Sequence, residues 1–282
     1  DVEGAITAHG GSISLLQSVE NLDVSTTPIG SGSGAGQRSI WVGGTAVLDV
    51  SGTIWYRGGG WMAMFLGGCV LEVFQAQFRR ALLDESTRAI VLRFDSPGGV
   101  IDAVAEVADE IFRARGTKPI IAIADTGMCS AAYWLGAAAD SISAMPSALV
   151  GSIGVYAEHI EYSAALEAEG VKVHVIASDA QKVEFHPALP TSADALAYLQ
   201  REIDLSANAF RADVARFRGV STKQVKATFG GGRVLNAQDA RAVGMIDRIE
   251  TLDALLARTA GRRAGARAEV EPLTFQALSD ED

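Results

Sequence analysis

Ser130 is the first candidate for chemistry in this chain, because it opens a short alanine-rich helix directly after an apolar, strand-like stretch at 119–124. A serine hydroxyl becomes a nucleophile only when a neighbouring base removes its proton. A serine at the start of a helix is also a common N-cap, so the position alone leaves both roles open for Ser130.

No histidine is an evident candidate for the base that would activate this serine. None of them lies in a sequence context typical of a catalytic triad: His9, His159, His174 and His186. Lys182 remains, in a loop after a strand-like segment at 171–176. A lysine acts as a base at neutral pH only when it is desolvated, because desolvation lowers its pKa. Taken alone, a loop lysine is typical of a solvated surface.

A second polar junction lies upstream, in the run Asp95-Ser96-Pro97-Gly98-Gly99, which ends one strand and opens a helix. The glycines permit backbone conformations closed to other residues, and N–H groups at a helix start favour negative charge. The run therefore suits the oxyanion of a tetrahedral intermediate, although an ordinary strand-to-helix turn has the same composition. In a parallel sheet, this junction and Ser130 fall at the same edge.

The elements that position these residues alternate between strands and helices, which predicts an α/β fold with a parallel sheet. The predicted strands are 46–50, 89–94, 119–124, 141–143, 149–155 and 171–176. The predicted helices are 71–83, 103–115, 130–139, a long helix at 191–217 and two short ones after Asn236.

The long helix has an apolar face that predicts packing either on its own core or on a second subunit. Its N-cap is Thr191 or Ser192. The face consists of Leu196, Leu199, Ile203, Phe210, Val214 and Phe217.

Composition places the chain among ordinary globular proteins, with 282 residues, 48% hydrophobic residues and a net charge of −10. The acidic balance argues against nucleic acid as a partner, because phosphate binding needs clustered Lys and Arg. Two cysteines, Cys69 and Cys129, are too few for a disulfide framework and predict free thiols. No apolar run is long enough for a membrane span, and no signal peptide pattern opens the chain.

Three regions follow from these patterns: an N-terminal extension at 1–38 that ends in a Gly/Ser-rich linker, one domain at 39–261, and a charged tail at 262–282. Within the domain, the run Gly58-Gly59-Gly60 precedes the apolar stretch 61–66. We expect this loop to pack on the core, to line a groove or to contact a subunit.

The chain resembles the signal peptide peptidase A and phage head-maturation proteases, which use a serine and a lysine on a ClpP/crotonase-like fold of repeated ββα units. The resemblance spans about 44–255. Besides the two junctions, it includes Val150-Gly151-Ser152-Ile153-Gly154-Val155, the segment 178–182 and Gly232-Arg233-Val234. The run Met128-Cys129-Ser130-Ala131 is closer to the phage proteases, because peptidase A members often have Ser-Gly-Gly at this position.

The resemblance implies a role for individual residues. Ser130 is the nucleophile, Lys182 the general base and Ser152 the residue that orients the lysine. The N–H groups of Gly99 and Ala131 form the oxyanion hole. The substrate peptide lies extended between the two junctions, in contact with Gly98 and Val100. No metal or organic cofactor is required.

The resemblance implies a phage or prophage capsid-assembly protease that cleaves scaffold and head proteins, in the host cytoplasm or inside the procapsid. It also implies a homo-oligomer, since relatives with one such domain assemble into rings. The alternative is a bacterial peptidase that degrades cleaved signal peptides, membrane-associated if an N-terminal anchor precedes this chain. An acyl-CoA hydratase or isomerase and an inert assembly module on the same fold are further alternatives.

Overall fold

The computed structural model describes residues 39–42, 44–57 and 67–259. The extension at 1–38 with its linker, the apolar loop at 58–66 and the tail at 262–282 lie outside the described residues, as does His9.

The main sheet is mostly parallel, and eight of its strands lie in the described part of the chain. Its strands are β1 (Ser39–Val42), β2 (Thr45–Ser51), β5 (Ala89–Ser96), β6 (Ile120–Cys129), β7 (Ser141–Ala144), β8 (Leu149–Gly151), β9 (Val234–Asn236) and β10 (Arg248–Ile249). The order is β1-β2-β5-β6-β7-β10, with β8 pairing beside the end of β6 and β9 pairing with β8. Only the β1–β2 and β8–β9 pairs are antiparallel within the described strands. A separate parallel pair consists of β3 (Ile54–Trp55) and β4 (Cys69–Val70).

Helices flank this sheet. They are α1 (Leu71–Leu83), α2 (Val104–Arg113), α3 (Ala131–Ala137), α4 (Ser163–Ala168), α5 (Ala193–Arg218), α6 (Thr222–Thr228), α7 (Ala237–Ala242) and α8 (Leu252–Thr259). The predicted α/β fold is confirmed in its main features, a mostly parallel sheet flanked by helices and one long helix in the second half. None of the described helices combines the length and hydropathy that a membrane span requires.

The central strands β5 and β6 form because their runs of β-branched and apolar residues are buried on both faces of a parallel sheet. Helix α3 lies against them and is entirely buried. Its residue Gly136 packs on β6, since a Cβ atom there would lie 2.3 Å from the sulfur of Met128. The core therefore holds the start of α3, and with it Ser130, in a fixed place on the sheet.

The long helix α5 divides into two halves with different surroundings. Ser192 caps it by accepting a hydrogen bond from the Ala195 N–H at 3.1 Å, which selects one of the two predicted caps. Phe210 in the second half is buried and stacks on Trp134 of α3 with ring centroids 4.4 Å apart. Leu196 in the first half is 51% exposed. The predicted apolar face is therefore buried in the second half, whereas its members in the first half are exposed or only partly buried.

Two predicted strands differ from the structure. The strand predicted at 149–155 ends at Gly151, because Ser152 has a φ of 55° that breaks the extended conformation. The strand predicted at 171–176 is absent from the described sheets. This segment has the alternating composition of a strand, but it is mostly exposed, and no described strand bonds its N–H and C=O groups.

The departure from the body begins after β8, and we call residues 154–192 the arm. No residue in this fully described stretch is buried. The arm contains α4 and a single 3₁₀ turn at Ala180–Lys182, and it returns to the body where α5 begins.

Candidate active site

Ser130 lies between the end of β6 and the start of α3 in a strained conformation, with φ 52° and ψ −126°. Its N–H donates to the Gly151 carbonyl at 2.7 Å, and its carbonyl accepts from the N–H groups of Tyr133 and Trp134. Its side chain makes no capping hydrogen bond to the helix, all of which is described. Ser130 is partly exposed at a strained strand-to-helix turn, the arrangement that presents nucleophiles on other folds.

Gly98 packs directly against this serine. With φ at 105°, a Cβ atom on Gly98 would lie 2.6 Å from the Ser130 Cβ and 2.9 Å from the Cys129 carbonyl. Ser96 fixes the turn, since its hydroxyl donates to the Gly52 carbonyl at 2.6 Å and accepts from the Gly98 N–H at 3.1 Å. The two junctions that the sequence placed at one edge of the sheet are therefore in contact.

Gly99 lies beside β3, where only glycine fits. A Cβ atom on Gly99 would lie 2.1 Å from the Ile54 carbonyl oxygen. Ile54 donates to the Gly98 carbonyl at 2.9 Å and accepts from the Val100 N–H at 3.0 Å. In a parallel bridge of this kind, the N–H of the middle residue points to the opposite side. The Gly99 N–H therefore faces away from Ile54.

The predicted substrate contacts at Gly98 and Val100 are restricted by these bonds. The Gly98 N–H is bonded to Ser96, and the Val100 N–H is bonded to Ile54. A peptide in the groove therefore meets other atoms of these two residues, or the Gly99 N–H between them.

Ala131 is the first residue of α3 and is buried. The first N–H groups of a helix have no acceptor within the helix and carry partial positive charge. The Ala131 nitrogen also lies at the Gly98 contact, 3.1 Å from where a Gly98 Cβ atom would be. The two N–H groups predicted for the oxyanion hole, those of Gly99 and Ala131, thus belong to adjoining turns.

Ser152 lies in line with Ser130 at the end of the neighbouring strand. The β6–β8 register pairs Cys129 with Gly151, and the next residue on each strand is a serine with positive φ. The Ser152 N–H donates to the Arg233 carbonyl at 2.9 Å, which holds this serine in its conformation. The structure therefore brings Ser130 and Ser152 together through backbone pairing.

Lys182 is not brought to this site in the single chain. It ends the 3₁₀ turn of the arm, its side chain is exposed, and its N–H donates to the Asp179 carbonyl at 3.1 Å. Among the described residues, its side chain has no hydrogen bond or ion pair with Ser130 or Ser152. The lysine therefore differs from the other predicted site residues, all of which lie at the junction of β5, β6 and β8.

Among the described residues, neither cysteine competes with Ser130, and His159 and His186 are engaged elsewhere. Burial raises the pKa of the half-buried Cys129 thiol, and it raises the pKa of Cys69 to about 12, so both thiols are protonated at neutral pH. His159 contacts Thr191 and His186 contacts Ala188, both within the arm. In the described part of the chain, no group of three or more His, Cys, Asp or Glu residues could hold a metal ion.

Sequence reasoning missed the residues that hold the site in shape. They are Gly52 and Ser96, which fix the first turn, Ile54, which bridges to Gly99, and the carbonyls of Gly151 and Arg233. Ser96 was visible in the Asp-Ser-Pro-Gly-Gly run, and Arg233 in the Gly-Arg-Val run. The pairing of β3 with Gly99 had no signal in the sequence, because it depends on a close contact between distant segments.

The chain is similar to known peptidases. Peptidase family S49 matches residues 113–265, more than half of the 282 residues. The head-tail preconnector protein GP5 of Enterobacteria phage P21 is 33% identical over 208 residues, 74% of this chain and 41% of that protein. The capsid assembly protease C of Escherichia phage lambda is 32% identical over 231 residues, 78% of this chain and 52% of that protein.

A cellular relative is more distant. The putative signal peptide peptidase SppA of Enterococcus faecium is 29% identical over 187 residues, 64% of this chain and 54% of that protein. The chain thus spans about half the length of the curated relatives that it matches. The segment matched by the family model, 113–265, includes β6, the Ser130 junction, the arm and the second half of the domain. The chain belongs to peptidase family S49.

Proposed function

We propose that this chain is a serine endopeptidase with Ser130 as nucleophile and Lys182 as general base, and that it acts in phage or prophage capsid assembly on scaffold and head proteins. The observation that carries the proposal is the Ser130 junction. There a serine in a strained conformation, whose hydroxyl makes no capping bond to α3, lies against the Gly98 turn. The similarity to a capsid assembly protease of phage lambda supports the capsid role.

In the proposed reaction each of these groups has one role. The neutral amine of Lys182 takes the Ser130 proton, and the serine oxygen bonds to the scissile carbonyl carbon. The N–H groups of Gly99 and Ala131 stabilise the resulting oxyanion, which forms where their partial positive charges point. The lysine ammonium then protonates the departing amine. Water hydrolyses the ester, which releases the acid product and restores the serine hydroxyl.

Lys182 must lose water before it can serve as this base, and the single chain leaves it exposed. We propose that assembly of several copies covers the arm and delivers Lys182 to the site, with Ser152 orienting the amine. The arm carries an unusual set of exposed apolar side chains, which are typical of interaction surfaces. They are Tyr156, Ile160, Tyr162, Val171, Val173 and Ile176.

A direct test compares the wild-type chain with Ser130→Ala and Lys182→Ala on an unfolded protein and on a fluorogenic peptide library. Only the wild-type chain should cleave these substrates. Equal cleavage by all three proteins would contradict the serine–lysine mechanism. Absence of cleavage by the wild type, with a stable fold and oligomer, would favour an inert assembly module.

The second candidate is a peptidase that degrades signal peptides, and the similarity to a putative SppA favours it. The two roles separate on substrate. A capsid-assembly protease should cleave the scaffold protein encoded beside it and leave isolated signal peptides intact. Cleavage of signal peptides with no cleavage of scaffold would support the second candidate.

A further inference from the structure

A cluster of polar contacts joins the outgoing and returning halves of the arm. The His159 Nε2 atom lies 2.9 Å from the Thr191 hydroxyl, and the Thr191 N–H donates to the Glu161 carboxylate at 2.8 Å. Ser163 donates to the other oxygen of the same carboxylate. Hydrogen bonds from Ser163 and Thr191 hold the pKa of the Glu161 carboxyl below its usual range. We call His159, Glu161 and Thr191 the clasp.

Two further contacts lie beside the clasp and also join the outgoing and returning halves of the arm. The Tyr162 N–H donates to the Pro187 carbonyl at 2.6 Å. The rings of His159 and Phe185 meet edge to face, with centroids 5.5 Å apart. The residues between these contacts, from 163 to 186, therefore form a closed loop whose two ends are held together.

Lys182 lies inside this loop, close to its returning end. Successive backbone turns connect it to the closure: Val183 donates to Ala180 at 3.2 Å, and His186 donates to Val183 at 2.9 Å. Leu189 then donates to His186 at 3.0 Å. Hydrogen-bonded turns therefore follow one another between the lysine and the clasp.

The clasp is in turn tied to the nucleophile through rigid elements. Thr191 directly precedes Ser192, the N-cap of α5. Phe210 of α5 stacks on Trp134 of α3, the helix that begins immediately after Ser130. The path from clasp to serine thus runs along the continuous helix α5 and its packing on α3, whereas the path from clasp to lysine runs along consecutive turns.

From this arrangement we propose that the clasp positions Lys182 relative to Ser130. This inference rests on the serine–lysine function proposed above and adds its positioning residues. Without the clasp, the arm becomes one long exposed loop, and the conformational entropy of that loop opposes delivery of the amine to one place. With the clasp closed, only the short run from Lys182 to Thr191 needs to be ordered when copies assemble.

The test removes one hydroxyl and then restores it. Thr191→Val keeps the shape of the side chain and breaks the bond to His159, while Thr191→Ser keeps the hydroxyl. His159→Phe is a second disrupting variant that retains a ring beside Phe185. Peptide hydrolysis is measured for each variant and for Lys182→Ala, from pH 8 to 11, where free histidines have already lost their protons.

Thr191→Val and His159→Phe should lower kcat about 10-fold to 100-fold, the scale expected for a misplaced catalytic group, with KM little changed. Thr191→Ser should recover most of the rate. The rate of an enzyme with a lysine base rises with pH, and the midpoint of that rise should shift in Thr191→Val and return in Thr191→Ser. A loss of folded protein alone would lower the rate at every pH without moving that midpoint.

A second measurement does not depend on activity. In the Ser130→Ala background, trypsin cleavage after Lys182 should be faster with Thr191→Val than with Thr191→Ser. If valine and serine variants match in rate, profile and cleavage while Lys182→Ala is inactive, the clasp proposal fails and the serine–lysine function stands. If Lys182→Ala retains full activity, the proposed function fails and the clasp proposal fails with it.

Discussion

Gly98 lies so close to Ser130 that a single methyl group on the glycine would come within 2.6 Å of the serine Cβ atom. The contact joins the turn after β5 to the turn after β6, and it places the Gly98-Gly99 backbone against the start of α3. A candidate oxyanion loop and a candidate nucleophile are thereby held in direct contact.

Gly98→Ala should therefore disrupt the site as well as the fold. Overpacking of this kind costs about 1–3 kcal/mol, and the positive φ adds about 1–2 kcal/mol. Peptide hydrolysis per folded molecule should fall about 100-fold, because the serine or the turn must move. Gly116→Ala is the matched control, since Gly116 has a φ of 82° and nothing within 4 Å of a Cβ atom. Equal effects of the two variants on hydrolysis would contradict this explanation.

Ser130→Ala should abolish hydrolysis while leaving the free energy of unfolding nearly unchanged. The Ser130 side chain does not cap α3, so its removal deletes no capping bond. Ser221→Ala is the contrasting variant, because the Ser221 hydroxyl accepts from the Gln224 N–H at 3.1 Å and caps α6. Loss of that cap should cost about 1 kcal/mol with normal specific activity. Chemical denaturation and a peptide assay report both quantities, and the reverse pattern would assign Ser130 a capping role.

The arm should mediate assembly, and Ile176→Asp tests this directly. Ile176 is 97% exposed in the single chain, so a charge there has little reason to affect the fold of one copy. We expect the variant to form smaller assemblies in analytical ultracentrifugation and to lose hydrolysis in proportion. Ile40→Asp is the control, because Ile40 is also exposed but lies in β1. An unchanged assembly with Ile176→Asp would argue against the arm as an interface.

The ion pair between Asp247 and Arg218 should make stability fall in acid. Burial opposes ionisation of Asp247, but bonds from Arg218 and from the Ile142 N–H, both at 2.7 Å, outweigh it and lower the pKa of this carboxyl. A lowered folded-state pKa contributes stability above the unfolded value of about 3.9, and this contribution is lost as pH falls through the lower folded value.

Asp247→Asn should therefore lower Tm at pH 7, and the difference from the wild type should shrink below about pH 4. Glu85→Gln, a change at an exposed carboxylate, should shift Tm little at either pH. A Tm difference for Asp247→Asn that stays constant from pH 7 to pH 3 would show that the charge is not what stabilises the fold.

Much of the fold was predictable because burial in a layered α/β protein produces apolar patterns among residues that are close in the sequence. The apolar run of β5 and the periodic face of α2 depend on residues a few positions apart, and both occur where the sequence places them. The two polar junctions were predictable for the same reason, since each follows a strand directly. The strand predicted at 171–176 was wrong because its composition suits a strand, but a strand also requires a partner.

The sequence by itself determined the alternation of strands and helices and the positions of Ser130 and of the Gly98-Gly99 turn within it. Only the tertiary structure decided that Gly98 touches Ser130, that Ser96 fixes the turn, and that Ser152 follows Ser130 across paired strands. It also placed Lys182 on an exposed arm. The physical reason is that composition and periodicity report the surroundings of each segment, whereas contacts between distant segments depend on strand order, register and the path of the chain between them.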